Sequence, residues 1–378
     1  MKKLIALILL TCVLALSLVS CGSTPADTTT AAPGTGSTPA ESYAAAMAHL
    51  AAGEYEDAYA ILAELGDYED ALQHLARLRY FPTKVTYKVS GEVIATLAAT
   101  LGANKLPATM VGTYGDSSET ATYTYDEAGR IVGLSYTDGE HVSSVAITYD
   151  ANGNETLRTY YEDGVVSYAD GQAYNDAGLL VEVYYIDEEG THHTEYTYAY
   201  DAAGNLVSEV EHMDEEEYET VYTYDAAGKL IKKEYTEYGG YVGREEYTYN
   251  DKGLLAKATH YYGDVKDEEI VYTYDENGNE IESVQTYFGE DDTAVMRRVY
   301  TYDADGYLLK LETYAAGDEV AYKMEYTYDA AHNLTSETIS LGDISQGLEY
   351  EYTLVYLDAP LSDEVYEAIL DEFSFSIS

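Results

Sequence analysis

The sequence has no tryptophan and only four phenylalanines, so its aromatic content is tyrosine, 44 residues of it. Only two cysteines occur, Cys12 and Cys21, both near the start. The rest of the chain has no disulfide, and its stability must come from packing. Basic residues are scarce: 20 Lys and Arg against 69 Asp and Glu give a formal net charge of −49. That excludes nucleic acid as a partner, since phosphate binding requires a basic footprint. It also disfavours direct adhesion to an anionic bilayer, while suiting solubility and cationic ligands or divalent ions. No nucleophile elbow, phosphate loop, HExxH or CxxC is present. No carboxylate pair stands out among the acids, and the chain is read as a non-enzyme.

What is present is a repeat. Copies of Tyr-x-Tyr-Asp-x-x-Gly-x-Leu run from Tyr123 to Leu334, with turn glycines at Gly129, Gly153, Gly178, Gly204, Gly228, Gly253, Gly278 and Gly306. His332 takes the ninth slot. The spacing of 24 to 28 residues marks a stacked architecture in which each unit buries its face only against its neighbours. In Tyr222–Leu230 the two tyrosines are two apart and share a face of a strand. Asp225-Ala226-Ala227-Gly228 reads as a type I turn with a glycine bulge: aspartate accepts backbone N–H bonds and glycine takes the left-handed conformation. Asn175 and Asn250 replace the aspartate and can make the same bonds. Histidine is among the few non-glycine residues enriched at positive φ, so the turn at His332 is expected to persist under some strain. Each repeat is thus two strands and two turns. The fold class is mainly β: a curved antiparallel sheet of tandem hairpins, with the tyrosine slots on one face and Thr or Glu on the other. Cross-strand tyrosine pairs on that face are read chiefly as core.

The flanks differ in kind. Met1-Lys2-Lys3 and the apolar Leu4–Leu18 form a secretory leader over residues 1–20. It ends in Leu18-Val19-Ser20-Cys21, which resembles the lipobox of bacterial lipoproteins and implies lipidation of Cys21. A plain leader or a spanning anchor is the alternative, though the apolar run is short for a spanning helix. The expected location is the cell membrane, lipid-anchored on its extracytoplasmic face. Residues 21–40, rich in Thr, Pro, Gly and Ser, read as a disordered tether. Residues 41–80 have helical periodicity, with Gly53 and Gly66 as breaks, and look like a short tetratricopeptide-type hairpin capping the sheet. The β domain is placed at 81–356, with nine repeats over about 123–356. Residues 357–378 are read as a capping helix that shields the open edge of the last strand, since an open edge invites aggregation.

The repeat unit is similar to the YD repeat of the Rhs and teneurin families, over about Tyr123 to Leu334. In those families such repeats build long β-sheets that curl, in the large members, into a shell around a cargo. Small bacterial relatives are surface or secreted proteins, for which carbohydrate binding has been proposed. The element that ends the Rhs shell is missing here, as no proline lies between Pro107 and Pro360. Nine units are also too few for a closed shell, so shell and cargo functions are not carried over.

Two ligand readings follow from the residues. Tyr160-Tyr161, Tyr184-Tyr185 and Tyr261-Tyr262 are doublets, so one ring of each faces the polar side; Tyr161, Tyr185 and Tyr262 are the candidates for stacking on a carbohydrate or a surface protein. Asp150, Asn152, Asp275 and Asn277 place oxygen atoms at alternate positions, as calcium loops do, but turn chemistry alone accounts for them. No other cofactor is expected. The chain is therefore read as a surface binding or adhesion module, with a passive spacer, calcium-stiffened or not, as the alternative and an uncharacterised enzyme third.

Overall fold

The structure, a computed structural model, describes residues 38–375 apart from 188, 214–215, 238–239, 290–292, 316 and 318. The leader, Cys21 and all but the last three residues of the expected tether lie outside the described residues. Helix α1 (Pro39–Ala52) begins two residues inside that tether. Thr38 and Glu41 form a reciprocal capping box, Pro39 sits where its missing N–H costs nothing, and Gly53 ends the helix at φ +78°. Helices α2 (Tyr55–Leu65) and α3 (Ala71–Leu75) follow, and helix α4 (Asp363–Phe375) closes the described chain.

Between the helices lie 22 strands. The first five are β1 (Leu78–Val89), β2 (Glu92–Leu101), β3 (Pro107–Tyr114), β4 (Ser117–Tyr125) and β5 (Ile131–Thr137). Next come β6 (Val142–Tyr149), β7 (Glu155–Glu162), β8 (Val165–Tyr174), β9 (Leu180–Ile186), β10 (His192–Tyr200), β11 (Leu206–Met213), β12 (Glu216–Tyr224), β13 (Leu230–Glu237) and β14 (Tyr241–Tyr249). The chain finishes with β15 (Leu255–Tyr262), β16 (Val265–Tyr274), β17 (Glu280–Phe288), β18 (Thr293–Tyr302), β19 (Leu308–Tyr314), β20 (Val320–Tyr328), β21 (Leu334–Leu341) and β22 (Ile344–Tyr356). The chain divides into two compact units. One comprises the residues up to Thr86, Ala95–Glu140 and the residues from Tyr350; the other comprises Tyr87–Ile94 and His141–Glu349.

Every YD turn is built alike. At Asp225 the backbone N–H donates to the Lys229 carbonyl (2.8 Å), and Gly228 N–H donates to the Asp225 carbonyl (3.1 Å). Asp225 Oδ1 accepts from the N–H groups of Ala227 and Lys229 at 2.8 and 2.9 Å. Gly228 has φ +80°, a conformation that only glycine adopts without strain. The turn shifts the register by one residue, so that Tyr224 faces Leu230. Asn175 and Asn250 make the aspartate's two backbone bonds, and His332 takes φ +64°.

The second tyrosine of the slot has a further task. The hydroxyls of Tyr224, Tyr249, Tyr274 and Tyr328 donate to the carbonyls of Leu206, Leu230, Leu255 and Leu308, at 2.6 to 2.9 Å. Tyr302 does the same to Glu280 (2.8 Å). Each acceptor is the first residue of a strand in the preceding repeat, so these hydroxyls tie repeat to repeat.

The last strand does not end in an open edge. β22 pairs with β1. Lys84 Nζ reaches Glu351 at 2.5 Å in the first unit. In the second, Ser90 N–H donates to the Ser345 carbonyl at 2.7 Å. The expectation that a helix shields that edge, and that the repeats are too few for the ladder to return on itself, is therefore corrected. β1–β3 ahead of the first repeat supply the missing partner. α4 lies elsewhere: Tyr366 packs on Phe81 with ring centroids 5.6 Å apart, and Ile369 is buried. Leu361, just before α4, presses on the first YD turn so closely that a Cβ on Gly129 would overlap it. The α1–α2 hairpin packs through Ala46 and Leu62 on Leu78 and Leu354, the β1–β22 pair.

Candidate binding cleft

The second unit contains a cleft whose lining comes from β11, β12 and β13. Directly opposed residues of neighbouring strands share a face, and the register fixes which. Tyr198 faces Glu209, Tyr196 faces Glu211, Tyr222 faces Lys233, and Thr220 faces Tyr235. Glu209, Glu211, Lys233 and Tyr235 therefore lie on the face of the tyrosine slots. With Met213, Tyr218, Thr220 and Thr236 they line a cavity of about 260 Å³ across β11–β13.

The walls are held by hydrogen bonds. Tyr196 donates its hydroxyl to Glu211 (3.0 Å) and Tyr222 donates to Glu209 (3.3 Å). Burial, reinforced by Glu209, pushes the Tyr222 hydroxyl up to about 12. The bond to Glu211, then burial, raises that of Tyr196. Both hydroxyls therefore remain donors at neutral pH. Lys233 Nζ stands 3.6 Å from Glu245 and 5.0 Å from the centre of the Tyr235 ring. The Tyr235 hydroxyl meets His260 Nε2 at 2.7 Å, and His260 Nδ1 meets Asp267 at 3.2 Å. Gly243, opposite Tyr235, leaves room for that ring: a Cβ there would run into it. The result is two carboxylates, one lysine and tyrosine rings in a half-buried recess.

The three doublet tyrosines do not share one side. Tyr161 faces Ser144, on the threonine side. Tyr185 faces Asp170 and His193, and Tyr262 faces Gly243; both lie on the slot side, and the threonine-side members of their doublets are Tyr184 and Tyr261. The assignment of Tyr185 and Tyr262 to the polar face is thus corrected. The reason is their distance from the turn glycine. Slot-face residues lie an odd number of positions beyond it, and Tyr161 is 8 beyond Gly153, whereas Tyr185 is 7 beyond Gly178 and Tyr262 is 9 beyond Gly253. The stacking surfaces are also partly taken: Tyr185 stacks on His193 (4.5 Å) and Arg244 lies over Tyr261 (4.0 Å). Tyr262 remains 43% exposed beside Tyr241.

The calcium-like loops spend their carboxylates on the turn. Asp150 accepts from the backbone of Asn152 and Asn154 and from the Asn154 side chain, at 2.8 to 2.9 Å. Asp275 does the same with Asn277 and Asn279. Among the described residues the acid and histidine groups that gather within 4.8 Å are elsewhere, at His49–Glu54–Asp57 and Asp303–Asp305–His332.

The repeat-to-repeat hydroxyl ties, the slot-face strands and the returning ladder meet a match over more than half of the chain, since the family model described as Teneurin YD-shell covers residues 79–287. The chain belongs to the Teneurin YD-shell family. Among solved structures, this YD-shell chain is similar to TcdB2-TccC3-Cdc42 at 14% identity and TM-score 0.40, covering 66% of this chain and 18% of that one. A second, TcdB2-TccC3 without its hypervariable C-terminal region, gives 15%, 0.40, 66% and 16%. A porin-like protein from Bacteroides uniformis gives 11%, 0.27, 72% and 98%. The YD-shell chain thus spans less than a fifth of the TcdB2-TccC3 chains. No curated protein matches it.

The cleft residues escaped the repeat argument because they sit between the motifs. Their signal is nonetheless present: Glu209 and Glu211 lie 5 and 7 beyond Gly204, and Lys233 and Tyr235 lie 5 and 7 beyond Gly228. Charged residues at odd offsets mark polar groups on the slot face.

Proposed function

We propose that this YD-shell chain is a non-catalytic binding module of the cell surface, held by a lipid on Cys21, and that its slot face recognises carbohydrate at the β11–β13 cleft. The observation that carries the reading is that cleft, where half-buried tyrosine rings stand beside carboxylates and a lysine. Tyrosine presents an apolar ring face and a polar tip, and ionised carboxylates accept hydrogen bonds from hydroxyls. A volume of about 260 Å³ is just below the range of small-molecule pockets, and suits one or two sugar rings of a longer chain. The second reading is a passive surface scaffold, favoured by the β1–β22 pairing that leaves the ladder without an edge there.

A glycan and cell-wall binding screen of the purified protein tests this. A saturable hit weakened by Tyr218→Ala and Tyr235→Ala supports the binding module. A blank across the panel with folded protein removes the carbohydrate reading and leaves the scaffold.

A further inference from the structure

The cleft's hydrogen-bonding valence is lopsided, and this narrows the sugar it takes. Glu209 and Glu211 project from alternate positions of β11, each accepting one tyrosine hydroxyl. An ionised carboxylate has about four acceptor sites, so both keep acceptor capacity toward the cavity. The hydroxyl donors are already committed. Tyr196 and Tyr222 serve these glutamates, Tyr218 donates to Glu216, Tyr235 is engaged with His260, and Lys233 stands against Glu245. With Lys233 balanced by Glu245, the cavity keeps the charge of two carboxylates. Its one cationic side chain, Lys233, has its charge met by Glu245, and acceptor sites outnumber donors.

The chain already shows, on both faces of its strands, how it holds a cation. The Lys233 ammonium lies between the Tyr235 ring and the Glu245 carboxylate. Arg297 is over the Tyr314 ring at 4.2 Å and 3.2 Å from Glu282, and Lys229 is over Tyr249 while donating to the Gly253 carbonyl. An aromatic face with an adjacent oxygen is a recurrent cation seat in this chain. The cleft offers that combination, Tyr218 and Tyr235 beside Glu209 and Glu211, and among the described residues no cation is paired with those glutamates.

We infer that the cleft selects a cationic amino sugar, a ring bearing a free ammonium, over neutral and N-acylated sugars. This rests on the carbohydrate reading above. The ammonium sits at Glu209 and Glu211, the ring lies along Tyr218 or Tyr235, and the net charge of −49 raises the local concentration of such a ligand.

The experiment compares a glucosamine tetramer with its fully N-acetylated counterpart by calorimetry, at low salt and mildly acidic pH where the amine is charged. Three proteins are used: the full chain, Glu209→Gln/Glu211→Gln, and Glu217→Gln/Glu219→Gln. The last removes the same charge from the opposite face of β12, where Glu217 faces His212 and Glu219 faces Val210. Thermal melts establish that each variant is folded. The expected result is at least tenfold tighter binding of the free amine, lost in the Glu209/Glu211 variant and kept in the Glu217/Glu219 variant. Equal affinity for both tetramers overturns the inference and leaves the carbohydrate reading standing. Equal loss in both variants also overturns it, assigning the preference to overall charge. Binding of neither tetramer, with a blank neutral panel, removes both readings.

Discussion

The two compact units use different physics in one ladder of strands. In the first, Phe81 and Leu62 are fully buried, and Met110 and Ile369 are 1% exposed. Of the buried apolar residues among those described, all but Ile147, Ala169 and Met324 belong to this unit. In the second, most of the buried side chains are polar: Thr259, Ser283, Gln285, Thr313 and Glu337. Its slot tyrosines Tyr247, Tyr249, Tyr272 and Tyr274 are half-buried, with Thr248 and Thr273 exposed between them. The first unit is held by helices that complete a core. The second has few buried apolar side chains, so ladder bonds, turn carboxylates, hydroxyl ties and ring pairs carry proportionately more. That leaves its slot face available to a ligand.

The largest effect that separates the two is truncation of a core ring. Phe81→Ala removes a fully buried side chain against Tyr366, which costs ~3–5 kcal/mol. Tyr272→Ala, in a half-buried slot of the second unit, costs roughly 1–2 kcal/mol by loss of part of its buried area. Urea unfolding of both variants checks the difference. Equal costs would show that the second unit has a core as tight as the first.

How much of this was legible depends on range. Asp225 to Gly228 is a local code, and its turn is read from four residues. The slot face follows from the alternation of Tyr222, Thr223 and Tyr224. The β1–β22 pairing was not legible, because Thr83 and Glu351 lie far apart in sequence and no local pattern announces their contact. The faces of Tyr185 and Tyr262 are not given by the doublets alone, because a shift of one position in a strand reverses its sides, and only the offset from the turn glycine distinguishes them. The hydroxyl ties were hidden in plain composition: 44 tyrosines against four phenylalanines is the trace of a ring whose hydroxyl is needed.

Acid is the next way to separate the units. Asp150 and Asp201 are held below the usual carboxylate range first by the side-chain amides of Asn154 and Asn205, and Asp225 first by the Lys229 backbone N–H. A folded value below the unfolded one gives stability that is present above the unfolded pKa, near ~3.9, and lost as pH falls through the folded value. Glu367 on α4 has the opposite sign, since burial and then Asp371 and Asp363 raise it, so protonation relieves the first unit. Hydrogen exchange as pH is lowered below about 4 is expected to show the repeats opening before the α4 region. Asp225→Asn should fold normally at pH 7, as Asn250 does in its own turn, and remove that turn's share of the acid sensitivity. An acid-induced opening that begins at α4 would reverse the assignment.

A smaller effect tests the ties between repeats. Tyr249→Phe keeps the ring and deletes the 2.6 Å bond to the Leu230 carbonyl, at a cost of about 1 kcal/mol. Tyr241→Phe serves as the comparison, because Tyr241 is no slot tyrosine and more than half of it is exposed beside Tyr262. Urea midpoints that drop for Tyr249→Phe and hold for Tyr241→Phe place the hydroxyl tie among the forces of the second unit. Equal midpoints would leave tyrosine's predominance over phenylalanine to solubility alone.

The smallest effect concerns the one turn that breaks the glycine code. His332 at φ +64° carries a strain of roughly 1–2 kcal/mol that glycine would lack. Yet its ring lies flat on Tyr307 of the preceding repeat, centroids 4.2 Å apart and planes 5° from parallel, and such a stack is worth about 0.5–1.5 kcal/mol. His332→Gly relieves the strain and loses the stack, so its melting temperature should stay near that of the parent chain. His332→Ala keeps the strain and loses the stack, and should melt lower. If the alanine variant is as stable as the parent, the stack contributes nothing and the histidine is merely tolerated. If the glycine variant is clearly less stable, ring stacking between repeats outweighs backbone strain, and the second unit draws more of its stability from aromatic contacts than from its turns.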